Sequence, residues 1–141
     1  TNAGYTEGIK KIVDAGLDSM RVSIISAIEE SYAAYYRSNY TLADVKESIR
    51  YALSHGVYVS LNMLFFPGFN DRAEELEAWR SFFRELPVNM VQVRNLNVDP
   101  DAFLEVMPEA QGEVVGARAF LERLKKEFPT LVIGSFSHYV E

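Results

Sequence analysis

The sequence predicts an α/β fold with about four mainly parallel strands and with helices on the outer face of the sheet. Along the chain, segments with the alternating hydrophobicity of strands are separated by segments with the periodicity of helices. Glycine or proline ends most of the helical segments. The order is α-β-(helical excursion)-α-β-α-β-α-β. Because strands that alternate with helices usually pair in parallel with right-handed crossovers, this order indicates a parallel sheet.

The composition excludes several classes of protein. The 141 residues are 48% hydrophobic and 24% charged, which argues against disorder, and no apolar run is long enough for a transmembrane helix. The net charge of −6 argues against a nucleic-acid or anionic-membrane surface. The chain has no cysteine, and His55 and His138 are not in metal-ligand spacing, so we predict no metal site within it. We see no signal peptide and expect a cytoplasmic protein.

The central stretch at 57–71, VYVSLNMLFFPGFND, predicts a strand, a turn and the start of a helix. The odd-numbered residues from Val57 to Phe65 are apolar, whereas Ser60 and Asn62 lie on the second face. A strand in a parallel sheet is normally apolar on both faces. The polar residues therefore indicate the interior or the mouth of a barrel.

Capping residues predict where the helices begin. Thr6 is expected to cap a helix over 7–15 whose buried stripe includes Ile12. Asp71 is expected to start the helix after the central strand, with Glu74 completing a capping box.

Predictions for the less regular segments follow from composition. Residues 28–40 contain four tyrosines and are expected to form a short helical excursion. These tyrosines either line a ligand mouth or, as we favour, pack on the body with their hydroxyls in water. A loop is expected through Asp99-Pro100-Asp101, a helical stretch over 108–128 and a last strand over 131–140.

Three successive strands share a face that carries polar side chains. The members are Arg21 and Ser23, then Ser60 and Asn62, then Gln92 and Arg94. In a curved parallel sheet these sets converge on the concave side, and sites in such folds lie at the C-terminal ends of the strands. Burial of two unpaired arginines would be costly. Either an anion or carboxylate ligand binds there, or the arginines pair with acidic residues inside the fold; the pattern leaves both open.

The common catalytic constellations are missing. The sequence has neither a glycine-rich phosphate loop nor a nucleophile elbow. Its acidic residues mostly fall on predicted helix faces, where they are solvated. We therefore assign no catalytic residue and no metal ligand to this chain.

Five short segments carry a family resemblance, and their order and spacing together are more specific than any one of them alone. They are Thr1-Asn2-Ala3-Gly4, Ala15-Gly16-Leu17-Asp18, Arg21-Val22-Ser23-Ile24, Pro67-Gly68-Phe69-Asn70-Asp71 and Val91-Gln92-Val93-Arg94. This succession resembles the second half of the core of a radical S-adenosylmethionine (radical SAM) enzyme, a partial (β/α)6 barrel similar to a TIM barrel. The resemblance implies that residues 1–101 form the C-terminal half of the barrel and that 102–141 form a C-terminal helix-strand extension.

The resemblance also implies a chemistry for the full-length protein. Three cysteines after the first strand would bind a [4Fe-4S] cluster, at which S-adenosylmethionine is reductively cleaved to a 5′-deoxyadenosyl radical that abstracts hydrogen from the substrate. Ser23 would contact the ribose or methionine part of S-adenosylmethionine, with Arg21 near its carboxylate, and Asn62 would lie near the adenosine. The residues expected along the adenine or substrate side are Gln92, Arg94 and Asn95.

The chain departs from the family because it lacks the cysteine loop. Without a thiolate it cannot hold the cluster, so we expect a C-terminal fragment that binds no cofactor by itself and is inactive alone. Its expected partner is the missing N-terminal half of the barrel, and a bare parallel edge around Val22 would also permit self-association. We expect no nucleic-acid or membrane partner.

Two alternatives remain, and the substrate is not indicated. The chain could be a fragment of another (β/α) barrel enzyme, a lyase or aldolase that binds a small acid. It could also be a non-catalytic interaction module that has kept the scaffold.

Overall fold

The computed structural model describes residues 1–134 and confirms an α/β fold, with four strands in one sheet and six helices in that range. In chain order the elements are α1 (Thr6–Asp14), β1 (Ser19–Ile24), α2 (Glu29–Tyr36), α3 (Leu42–Ser54), β2 (Tyr58–Phe65), α4 (Ala73–Glu85), β3 (Met90–Asn95), α5 (Pro100–Val106), α6 (Ala117–Glu127) and β4 (Val132–Gly134). None of the described helices is both long enough and apolar enough to cross a bilayer.

The sheet is parallel throughout, and its strand order β1-β2-β3-β4 follows the order of the chain. The alternation of apolar and polar residues predicts correctly which residues of β1, β2 and β3 share a face. The register aligns Val22 of β1, Leu61 of β2 and Val91 of β3, all of which are buried. The main core packs this face of the sheet against apolar residues of α1, α3, α4 and α6.

The start of α1 differs from the prediction in two details. Tyr5 occupies the N-cap position without a side-chain cap, and Thr6 is the first helical residue, so the predicted cap is wrong. The Thr6 hydroxyl instead donates to the Asp44 carbonyl at 3.1 Å, which ties α1 to the start of α3. Ile12, expected in the buried stripe, is 52% exposed.

The predicted capping box of α4 is also wrong. Arg72 occupies the N-cap position and makes no side-chain cap. The Asp71 carboxylate accepts a hydrogen bond from the Gly68 backbone N–H at 2.6 Å, so it closes the preceding turn. Glu74 accepts from the Gln111 backbone N–H at 2.9 Å and fastens a later loop to the helix.

Helix α5 occupies part of the expected loop after β3. Asp99 is its N-cap, where the carboxylate accepts from the Ala102 backbone N–H at 3.0 Å, and Pro100 stands at the first helical position. Proline is favoured there because the first helical N–H has no partner within the helix.

The helical stretch predicted over 108–128 forms only in its second part, as α6. Gly112 and Gly116 have φ values of 77° and 87°, a left-handed conformation that interrupts a helix. Of the strand predicted over 131–140, β4 is the part within the described residues, and 135–140 lie outside them.

The tyrosines of the excursion pack on one another. The ring of Tyr36 lies 4.5 Å from that of Tyr32 and 4.9 Å from that of Tyr35, centroid to centroid. The hydroxyl oxygens of Tyr32 and Tyr36 are buried and, within the described residues, have no partner in full hydrogen-bond geometry, so the expectation that they lie in water is wrong for these two. Burial raises the pKa of both hydroxyls well above the ordinary value.

The outer edge of β1 is partly covered. The amino group of Thr1 donates to the Arg21 carbonyl at 3.1 Å, and the Thr1 carbonyl accepts from the Ser23 backbone N–H at 3.0 Å. These two bonds have the pattern of a parallel bridge opposite Val22. The edge around Val22 is therefore not bare, contrary to the prediction.

Candidate functional site

Three polar side chains lie side by side on the face of the sheet opposite the main core. The register pairs Ser23 of β1 with Asn62 of β2, and Asn62 with Gln92 of β3. Residues paired across neighbouring strands point to the same face, and parallel strands are about 4.8 Å apart. We call Ser23, Asn62 and Gln92 the polar row.

The polar row carries unpaired hydrogen-bonding atoms. Its one internal contact runs from Nδ2 of Asn62 to Oγ of Ser23, at 3.4 Å. Oδ1 of Asn62 and both amide atoms of Gln92 are buried and have no hydrogen-bond partner in the described part of the chain. Gln92 is 1% exposed, whereas Ser23 and Asn62 are half-buried. A buried polar atom without a partner typically costs about 1–3 kcal/mol, so the row is suited to a ligand that supplies the partners.

Two arginines flank the polar row on the same face. Arg21 precedes Ser23 by two residues along β1, and Arg94 follows Gln92 by two residues along β3. Both side chains are exposed, and neither forms a salt bridge with a described residue. The expectation that both arginines are buried is therefore wrong. The alternative that they pair with acidic residues inside the fold is wrong for the same reason. Among the described residues no acid competes with an anion for either guanidinium group.

Asn95 is not brought to the polar row. The register pairs it with Phe65, whose side chain belongs to the main core. Alternation along β3 then places Asn95 on the opposite face from Gln92 and Arg94.

Beyond the polar row, an apolar group covers the C-terminal ends of the strands. We call it the aromatic cluster; its buried members are Ile25, Phe69, Phe103 and Met107, and Leu64 and Phe66 are among the residues packed against them. The ring of Phe103 stacks on Phe66 at 4.4 Å and meets Phe69 edge-on at 5.3 Å. Leu64 follows Asn62 by two residues on the same face of β2, so the aromatic cluster adjoins the polar row.

Asn70 holds the ends of β1 and β2 together. Its side-chain Nδ2 donates to the Ile25 carbonyl at 2.6 Å, and its Oδ1 accepts from the Phe66 backbone N–H at 2.7 Å. The residue is 1% exposed. The position of the aromatic cluster next to the polar row therefore depends on one buried side chain.

A buried acid that sequence reasoning missed lies at the end of β1. The Ser26 hydroxyl donates to Oε1 of Glu75 and accepts from the Ile28 backbone N–H at 3.0 Å. Both side chains are buried, and within the described residues Oε2 of Glu75 has no partner in full hydrogen-bond geometry. The Ala27 backbone N–H and the Trp79 indole nevertheless lie close enough to favour the charged form of the carboxyl. Burial, with a smaller contribution from the neighbouring Glu74, raises the pKa of Glu75 to about 7, although the hydrogen bond from Ser26 opposes the rise. The sequence signal that could have revealed Glu75 is helical spacing. Glu75 lies four residues before Trp79, on the buried stripe of α4.

Other kinds of site are not seen in the described residues. Within them, no group of three or more His, Cys, Asp or Glu side chains is placed to hold a metal ion. A cavity of about 540 Å³ lies between the start of α1 and the start of α3, lined in part by Tyr5 and Asp44, and includes no residue of the polar row.

Comparison with models of known protein families finds no match, and comparison with curated proteins finds none either. The radical SAM resemblance therefore stays a prediction from the sequence.

Proposed function

We propose that this chain is the S-adenosylmethionine-binding half of a radical SAM enzyme, and that the full-length protein performs radical chemistry on a substrate. The observation that carries the proposal is the polar row. Three unpaired, buried amide atoms lie on adjacent parallel strands, on the positions that the resemblance assigns to the nucleoside part of the cofactor. A nucleoside offers both donors and acceptors, which such a set requires.

The residues present fit S-adenosylmethionine. The half-buried Ser23 hydroxyl would contact the ribose or methionine part, and the exposed Arg21 guanidinium would lie near its carboxylate. Asn62 would lie near the adenosine, with Gln92 and Arg94 along the adenine or substrate side. The aromatic cluster would exclude water from the bound nucleoside.

The residues do not fit the [4Fe-4S] cluster, because the chain has no cysteine. In this proposal the thiolates come from the N-terminal half of the barrel. When bound, cluster and cofactor together would supply a 5′-deoxyadenosyl radical, and this chain would bind and orient the nucleoside.

The N-terminal half is the proposed partner, and it would extend the sheet at β1. The parallel bridge between Thr1 and Val22 supports this, because it occupies the position that the next parallel strand would take. In the absence of that half, the remainder of the β1 edge is available for self-association.

A small acid is the ligand of the second candidate, a lyase- or aldolase-type barrel. The two exposed arginines, which form no ion pair with a described residue, favour it. The unpaired acceptor Oδ1 of Asn62 argues against it, since this oxygen would repel a carboxylate placed on the polar row.

The sequence alone predicts no cofactor on this chain by itself, but the unpaired atoms of the polar row lead us to propose that the chain binds the nucleoside weakly even without the N-terminal half. Titration of the isotope-labelled chain with S-adenosylmethionine, followed by amide NMR, tests this proposal. We expect shifts at the side-chain NH₂ groups of Asn62 and Gln92 and at the backbone of Ser23. Asn62→Leu should weaken binding by about tenfold through the loss of its buried hydrogen bonds. Gln111→Leu, which changes an exposed glutamine, is the matched control.

The absence of any shift in the polar row at millimolar S-adenosylmethionine would contradict the proposal. Methionine alone provides a second comparison. If it moves the Arg21 and Arg94 signals as strongly as S-adenosylmethionine does and leaves the polar row unchanged, the small-acid candidate is favoured.

A further inference from the structure

We infer that α5 and the segments next to it form a docking surface for a basic polypeptide segment that also carries apolar side chains. The surface runs over 98–114, and we call it the acidic-apolar surface. It shares no residue with the polar row, so the inference goes beyond the proposed function and does not depend on it.

The acidic-apolar surface carries most of the excess charge of the chain. It contains five acidic residues and no lysine, arginine or histidine; the five are Asp99, Asp101, Glu105, Glu109 and Glu113. All five are exposed. The rest of the chain is close to neutral, since its 15 acidic side chains are matched by 14 basic ones. The negative charge that would attract a basic partner is therefore concentrated in one segment.

The acids of this surface are not consumed by ion pairs within the fold. On the outer helices, by contrast, Glu85 pairs with both Lys46 and Arg50. No salt bridge among the described residues includes any of the five acids. The guanidinium group of Arg72 lies beside the loop after α5, but it donates to two backbone carbonyls at 2.8 and 2.9 Å. The carboxylates are thus available to cations from a partner.

The same segment exposes apolar side chains. Seven large apolar side chains are exposed in the described part of the chain, and four of them belong to the acidic-apolar surface. These four are between 39% and 55% exposed; they are Val98, Leu104, Val106 and Val114. Single exposed apolar residues are normal, whereas a group of them bordered by polar residues marks an interaction site.

The aromatic cluster fixes the orientation of α5. Phe103 and Met107 are buried in that cluster. Asp101, Leu104 and Glu105 are exposed, and residues three and four apart on a helix are neighbours on its surface. The helix therefore presents an apolar side chain bordered by two carboxylates, at the C-terminal ends of the strands.

A basic polypeptide segment with apolar side chains matches both features. Its lysines or arginines would pair with the carboxylates, and an apolar side chain would remove the surface of Leu104 from water. A small polyamine would meet only the carboxylates, and nucleic acid or an anionic membrane would be repelled by them. Two copies of this chain that met through this surface would place the same five acids against each other.

Fluorescence anisotropy with three short labelled peptides tests the inference. The first peptide combines lysine with leucine at helical spacing, the second has serine in place of each leucine, and the third has glutamate in place of each lysine. We expect the chain to bind the first peptide at least about tenfold more tightly than either of the others.

Variants of the chain separate the apolar from the ionic contribution. Leu104→Ser should weaken binding of the first peptide by about tenfold at every salt concentration. Glu105→Lys should weaken it mainly at low salt, because salt screens exposed charges. Ile12→Ser, at an apolar residue of α1 that is 52% exposed, and Asp18→Lys, at an exposed acid before β1, are the matched controls and should bind like the parent.

Equal binding of the first and second peptides would overturn the inference, because charge alone would then account for it. Equal effects of Leu104→Ser and Ile12→Ser would do the same. Self-association of the chain that Leu104→Ser abolishes would show that the surface is an interface between copies instead. Binding of S-adenosylmethionine is measured at other residues, so failure of either result leaves the other proposal standing.

Discussion

Glu75→Gln should remove a pH-dependent loss of stability from this fold. Glu75 is 1% exposed and forms no salt bridge with a described residue. Its carboxyl accepts a hydrogen bond from Ser26, and the Ala27 backbone N–H and the Trp79 indole stabilise the charged form more weakly. Burial raises its pKa from 4.5 to about 7. Ionisation therefore places an uncompensated negative charge between β1 and α4.

The sign and size of the effect of Glu75 on the free energy of unfolding follow from proton linkage. Because the pKa is higher in the folded protein, the folded state keeps a proton that the unfolded chain has already released between pH 4.5 and about 7. The contribution of Glu75 to stability is fully present below pH 4.5 and is lost as the pH rises to about 7. At about 1.4 kcal/mol per pKa unit, the loss is about 3 kcal/mol.

Urea unfolding of the parent and the Glu75→Gln variant at about pH 5 and about pH 8 measures this effect. Glutamine still accepts from Ser26 but cannot ionise, so the variant should match the parent within about 1 kcal/mol at the lower pH and exceed it by about 3 kcal/mol at the higher pH. Glu109→Gln, at an exposed position that forms no salt bridge with a described residue, controls for the loss of one charge. If the difference in the free energy of unfolding between variant and parent is the same at both pH values, the proposed raised pKa of Glu75 does not affect stability and the prediction is refuted.

Further predictions concern packing and the ends of the strands. Asn70→Ala leaves two buried backbone groups without partners and should cost about 2–4 kcal/mol by urea unfolding; a loss under about 1 kcal/mol would show that Asn70 does not anchor the strand ends. Gly4→Ala would bring a methyl group within 2.3 Å of the Tyr40 ring and should destabilise by about 1–3 kcal/mol, and an unchanged midpoint of thermal unfolding would mean that the ring moves freely. Gly8→Ala in α1 meets only the ring of Tyr5, which is 71% exposed and able to move. It should stabilise by up to about 1 kcal/mol in the same assay through helix propensity, and a lower midpoint would contradict that.

The strands were predictable because their pattern is local. Ser19–Ile24 alternates between buried and more exposed residues, and the structure places β1 over those residues. The capping box at the start of α3 is equally local, because Thr41 and Asp44, which form it, lie three residues apart in the sequence.

The errors arise where one side chain has several possible partners. Asp71 has the sequence context of an N-cap, but the tight turn before it brings the Gly68 N–H closer than the helix. Asp99-Pro100 is a helix-start signal as well as a turn signal, and α5 also buries Phe103 in the aromatic cluster, a contact that the local sequence does not reveal. Such choices depend on tertiary packing.

The candidate site was predicted in outline. Alternation places Ser23, Asn62 and Gln92 on one face, and the register brings them together. Alternation does not reveal that Gln92 is fully buried while the arginines on either side are exposed. Burial depends on what lies above the sheet, and a strand pattern carries no information on that.

The agreement between strand order and chain order has a consequence for folding. Each strand pairs with the strand that follows it along the chain, so β1 and β2 can associate once residue 65 is available, and β3 and β4 can join afterwards in turn. Every loop that closes is then a single connection between neighbouring strands, with one helix between β2 and β3 and two helices in each of the other two connections, which limits the entropy of loop closure. During synthesis the sheet can grow outward from the N-terminal edge, and each addition covers the edge exposed by the previous one.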